Sequence, residues 1–115
     1  MQHSIEMYLH DILNAIDSIV EYLGNERNFH EYETNKLLRR AVERELEIVG
    51  EATNRILKLN PEIDINNARR IVDLRNWVIH AYDSVDNVII WGIVNKDIPL
   101  LREQVITLLN KRFDV

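Results

Sequence analysis

VIIWGIV, residues 88–94, is the longest apolar run in the chain, and its reading decides the fold. Taken alone, a short apolar run fits a buried strand or a buried helix equally well. No other segment offers it a strand partner, so it reads as helix. Helical winding points its apolar side chains in every direction, and such a helix needs cover on all sides. Two sources of cover are open: the centre of one monomer, or a homodimer face. Seven residues are far too few to span a bilayer.

Working outward, Asp97-Ile98-Pro99 reads as an N-cap followed by a first-turn proline, which predicts a last helix over 98–111. Upstream, YDSVD (82–86) supplies capping residues and sets a helix boundary. Before it, a third helix starts near Asn66 or Asn67 and includes RNWVIHAY (75–82). Asn60-Pro61 breaks a second helix that runs from Thr34, as N-cap, to Leu59. GNERNFHEYET (24–34) is polar and reads as a loop with room for one helical turn. From Ser4 to about Tyr22, apolar residues fall at 5, 8, 9, 12, 13, 16, 19, 20 and 23, the mark of an amphipathic helix. The expectation is one all-α domain over 1–115, a four- to five-helix antiparallel bundle.

Composition narrows the function. A chain of 115 residues, 46% hydrophobic, has material for one core. It has no cysteine, which excludes disulfides and thiolate metal sites and is compatible with a cytoplasmic location. The N-terminus carries acids and lacks a basic region before an apolar core, so it does not read as a signal peptide. A net charge of −5 argues against coating nucleic acid by bulk electrostatics but leaves room for a local phosphate site. Arg39, Arg40 and Arg44 cluster in one segment, and Arg69, Arg70 and Arg75 in another. Mixed charge of this kind is ordinary on an exposed helix face.

Two charged residues fall where apolar ones are expected. At about 100° per residue, Ala68, Ile71, Val72, Val78, Ile79 and Tyr82 share one stripe of the third helix, with Arg75 in its middle. His80 lies roughly 140° from Arg75 on an ideal helix, on the side of Arg69, Asp73 and Asn76. A straight helix in one chain does not bring Arg75 and His80 together. Either the helix ends or bends before His80, or the site gathers copies from two chains. In the second helix, Leu37, Leu38, Ala41, Val42, Ile48, Val49, Ala52 and Ile56 form the apolar face, and Glu45 lies within it. A buried carboxylate is costly unless paired, and the inward Arg75 is its natural partner. Arg40, Arg44, Glu47, Glu51 and Asn54 line the opposite, solvated side.

An arginine and a histidine suffice for one chemistry, RNA cleavage by the ribose 2′-hydroxyl. Histidine moves a proton near neutral pH, and a guanidinium holds phosphoryl oxygens as charge builds. His3, His10 and His30 have no second ligand at metal spacing, so no metal or cofactor is implied. There is no P-loop, glycine-rich fingerprint or Gly-x-Ser-x-Gly elbow.

RNWVIHAY resembles the Arg-x4-His-x-Tyr motif of the HepT family, within the wider HEPN group of all-α domains. ERELEIVGEATNRI (43–56) and IWGIVNKDIPLLREQV (90–105) also resemble HepT segments, so the likeness covers nearly the whole chain in order. The resemblance implies an HEPN-like bundle, a homodimer, and a metal-independent ribonuclease, either an endonuclease or an RNA-processing enzyme. It implies the toxin of a type VII-like toxin–antitoxin pair, whose minimal nucleotidyltransferase partner neutralises it by adding AMP to the motif tyrosine. Arg75 and His80 match the catalytic positions, Tyr82 the modified one, and Asn76 fits the common Arg-Asn form as a supporting residue. Two other readings stay open: a non-catalytic dimeric module that binds a nucleotide or a nucleotidyltransferase, and a purely structural four-helix bundle.

Overall fold

The computed structural model describes residues 3–73 and 87–111. They form α1 (His3–Leu23), α2 (Phe29–Thr34), α3 (Lys36–Leu59), the helical residues 68–73, here α4, and α5 (Asn87–Lys111), with no strand among the described residues. The all-α expectation holds. No helix among them is long and apolar enough to cross a membrane.

Each long helix buries one stripe. In α1 the stripe is Ile5, Leu9, Ile12, Ala15, Ile16 and Ile19, the three-and-four spacing that keeps one face inward. α1 ends where Gly24 takes φ 71° and its N–H bonds to the Val20 carbonyl at 3.0 Å. That left-handed backbone suits a residue without a Cβ. In α3, Val42, Leu46, Val49, Thr53 and Ile56 lead, and the Thr53 hydroxyl donates to the Val49 carbonyl at 2.8 Å. α1 packs chiefly on α3, with the Arg55 guanidinium 6.0 Å from the Tyr8 ring centre, so the two run antiparallel. α1 also lies antiparallel to α5: Arg102 Nε donates to Asp17 Oδ1 at 2.8 Å, and Ile5 and Leu108 border one cavity at the far end. α4 runs antiparallel to α5, with Asn66 N–H on Gln104 Oε1 at 3.1 Å and Arg70 3.5 Å from Asp97. These exposed ion pairs each contribute little; burial of the apolar stripes holds the bundle.

Three expectations need correction. First, Asp97 does not cap a helix. α5 continues through Pro99 without a break, and Asp97 pairs with Arg70 instead. Pro99 removes one backbone hydrogen bond, yet its ring is exposed, while Ile90, Ile93, Val94, Ile98, Leu101, Val105 and Leu108 form one inward stripe across it. Burying that stripe as a unit outweighs the missing bond.

Second, the cap of α3 is Asn35, whose side chain accepts from Leu38 N–H at 3.0 Å. Thr34 belongs to α2, the helical turn allowed for in the loop, and its hydroxyl donates to the His30 carbonyl at 2.7 Å. Third, the buried carboxylate of α3 is Glu43; Glu45 is half-buried and Leu37 is 81% exposed. The buried sector is rotated because α2 folds back over the first turns of α3, beside Glu43. Arg75, the expected partner of Glu45, lies outside the described residues.

The described residues cover 88–94 on one side only, which leaves the sequence's second source of cover, a homodimer face, open. Ile90, Ile93 and Val94 are buried, but Val88 is 64% and Ile89 41% exposed, and Leu100 beyond them 60%. Packing among the described residues buries only the inner half of this segment.

Candidate functional site

Arg75, Asn76, His80 and Tyr82 all lie outside the described residues, as does the geometric relation between Arg75 and His80. What the structure does describe is the frame on either side of them. α4 climbs beside α5 from Gln104 to Asp97, toward the first turn of α5. Within α4, Ile71 is buried, Ala68 and Val72 are half-buried, and Arg69 and Arg70 are exposed, as the stripe expected from the sequence requires. Asn67, at φ 57°, turns the chain into α4, and its carbonyl accepts from Ile71 N–H at 3.0 Å. Asparagine tolerates that left-handed geometry better than most residues.

The foot of α4 borders a cavity of about 120 Å³ lined by Asn66, Asn67, Arg70, Asp97, Leu100 and Gln104 among others. Two of its polar contacts, the Asn66 N–H on Gln104 and Arg70 on Asp97, hold α4 to α5.

The first turns of α5 meet α2. Trp91 makes an edge contact with Phe29 (ring centres 5.8 Å apart) and a tilted contact with Tyr32 (5.3 Å). Asn95, one turn on, donates to the Trp91 carbonyl at 2.8 Å and accepts from Arg27 Nη1 at 2.8 Å. Beneath the rings, Tyr32 is buried and its hydroxyl has no hydrogen-bond partner among the described residues. Burial, and after it the nearby Glu43 carboxylate, push the phenol well above its ordinary pKa, against the weaker pull of Arg39 and Arg40. Tyr32 is therefore a neutral phenol at physiological pH, not a nucleophile. Glu43 is held by Arg40 at 2.8 Å, and the hydrogen bond to Glu43 raises the Arg40 pKa. Arg39 Nη1 donates to the Glu33 carbonyl, which ties α3 to the end of α2.

This aromatic and charged cluster went unread in the sequence. Phe29 and Tyr32 sit three apart, a one-face spacing, but in a segment too short and polar to carry a helical signal. Among the described residues, no three His, Asp or Glu side chains are grouped to hold a metal ion. In the basic cluster at 39–44, Arg40 and Arg44 are exposed as expected, with Arg44 on Glu47 at 3.2 Å, whereas Arg39 is half-buried.

Known proteins align with the frame and with the segment it brackets. The family model for HepT-like ribonucleases matches residues 12–108, from the middle of α1 to near the end of α5. A protein of Thermococcus cleftensis named "Probable ribonuclease HepT" is 39% identical over 106 residues, covering 89% of this chain and 93% of its own. One from Methanocaldococcus jannaschii named "Putative RNase" is 33% identical over 105 residues, covering 90% and 95%. A Caldanaerobacter subterraneus protein with the same form of name is also 33% identical, covering 90% and 93%. No solved structure matches. A family match over most of the chain, with relatives aligned nearly end to end, places this chain in the HepT-like ribonuclease family.

Proposed function

We propose that the chain is a metal-independent ribonuclease built on Arg75 and His80. The observation that carries this reading is the family match over 12–108, which contains Arg75, His80 and Tyr82 at motif spacing. In the proposed reaction the ribose 2′-oxygen bonds to phosphorus and the bond from phosphorus to the 5′-oxygen breaks. The 2′-hydroxyl proton passes to a histidine base, and the 5′-oxygen leaves with a proton from an acid. Arg75 holds the phosphoryl oxygens as charge builds on them. Two chains facing across a twofold axis supply one His80 for each proton and form a basic cleft on an acidic protein. The exposed Val88, Ile89 and Leu100 support such a homodimer, because they continue the apolar surface of α5 outward.

The same reading makes the protein the cytoplasmic toxin of a toxin–antitoxin pair, with a minimal nucleotidyltransferase as its partner and Tyr82 as the AMP acceptor. Adenylylation there adds bulk and negative phosphate beside His80, which repels RNA.

The test is cleavage of RNA in EDTA by wild type, His80→Ala and Arg75→Ala. Wild type should cut and both variants should lose at least a hundredfold, as loss of general acid–base catalysis does. His80→Ala should keep its melting temperature, whereas Arg75→Ala should lose stability, since helical spacing in the sequence sets Arg75 among apolar residues. A His80→Ala chain that cuts as well as wild type refutes the mechanism. Tyr82→Phe separates the regulatory half, for it should stay active yet escape the nucleotidyltransferase; full neutralisation of that variant means the antitoxin acts elsewhere.

A further inference from the structure

Among the described residues, most arginines are already neutralised. Arg40, Arg44, Arg55, Arg70 and Arg102 each pair with a carboxylate, whereas Arg39, on the Glu33 carbonyl, and Arg27 hold neutral partners. That of Arg27 is the amide of Asn95, which fixes the guanidinium without cancelling its charge. Asn95 in turn is held on the Trp91 carbonyl, so Arg27 is anchored one turn from a half-exposed tryptophan that packs against a half-exposed phenylalanine. An uncancelled, tethered guanidinium beside aromatic rings is the combination that binds single-stranded nucleic acid: cation to phosphate, ring to base.

Its place also suits that use. Asn87 lies five steps along the chain from Tyr82, a reach of at most about 18 Å, and Trp91 lies about 6 Å further along α5. The cluster is thus within a few nucleotides of the motif.

We propose that Arg27, with the Phe29–Trp91 pair, forms a subsite that holds the RNA strand flanking the cleaved phosphate. The guanidinium takes a backbone phosphate, and a neighbouring base lies against the rings. This rests on the ribonuclease reading and adds to it a specific cation and a preference for unpaired strands.

The experiment measures binding of a single-stranded RNA oligonucleotide to the full chain carrying His80→Ala, so that the strand stays intact, across a salt series. Adding Arg27→Ala should weaken binding about tenfold and flatten the dependence of log affinity on log salt by about 0.7, the share of one phosphate contact on a single strand. Arg27→Lys should restore the slope, since it keeps the charge. Phe29→Ala should weaken binding of normal RNA several-fold but not that of an abasic strand. Melting curves verify that each variant is folded. Unchanged affinity and slope in a folded Arg27→Ala chain overturn the proposal, and so does a duplex bound as tightly as the single strand. RNA that wild type binds through Arg27 but never cuts would remove the cleavage reading and leave the subsite standing. A chain that neither binds nor cuts RNA would remove both.

Discussion

Tyr32 shows how a side chain can be costly where it is most useful. Its ring lies between α2 and α5 and touches Trp91, while its hydroxyl is buried without a partner among the described residues. An unmet buried hydroxyl costs roughly 1–3 kcal/mol. Tyr32→Phe keeps the ring and should raise stability at neutral pH by roughly 1 kcal/mol, measured by urea unfolding. The pH dependence follows from the raised phenol pKa. A group whose folded pKa exceeds its unfolded value near 10 contributes fully below that pH and is lost as pH rises toward the folded value. Wild type should therefore lose stability from about pH 10 upward, and Tyr32→Phe should lose distinctly less. Equal alkaline losses in the two would show that Tyr32 ionises as freely in the fold as outside it. Glu43, beside it, was legible as a charge but not as a buried one. On the face read from the sequence, Glu45 is nearer the middle than Glu43, and only the return of α2 over α3 reverses the order.

Among the elements, α5 is the one whose length the sequence misstates. Asp97-Ile98-Pro99 has the local form of a helix start, yet α5 runs from Asn87 to Lys111 through it. Pro99→Ala should restore the bond from residue 99 N–H to the Asn95 carbonyl and relieve the ring's clash with it. We expect a gain of about 1 kcal/mol or more, a rise of about 4 °C in melting temperature. A drop instead would mean that Pro99 sets a bend the bundle needs. At the start of α3, Asn35→Ala removes the bond to Leu38 N–H and should cost about 1 kcal/mol. Thr34→Ala should cost less, since its hydroxyl serves a carbonyl within α2.

At the scale of the molecule, the uncovered face of α5 matters most. Val88, Ile89 and Leu100 are side chains that the described residues leave exposed. If the proposed dimer uses them, sedimentation at micromolar concentration should give a dimer for wild type and a monomer for Val88→Glu. Val88 is 64% exposed, so the substitution should leave the melting of the monomer nearly unchanged. A dimer that survives Val88→Glu would move the interface to another surface. The composite cleft requires this association, so loss of the dimer should abolish cleavage as well.

What the sequence determined by itself was set by periodicity and local chemistry. The spacing of Ile5, Leu9, Ile12, Ile16 and Ile19 makes a helix whatever it packs on, Asn60-Pro61 stops one, and the absence of a strand partner turns 88–94 helical. The motif at 75–82 was legible in the same way, because its residue types and spacing are local properties, although its geometry lies outside the described residues. Tertiary structure alone decided where a local signal was outvoted or absent. Pro99 was outvoted by the apolar stripe of α5 packing as one length. The burial of Glu43 and the joining of Arg27, Phe29, Tyr32, Trp91 and Asn95 had no local signal, since those groups lie up to 68 residues apart. Their contact depends on how α2 docks against α5, and that is settled by the summed burial of several helices rather than by any one segment.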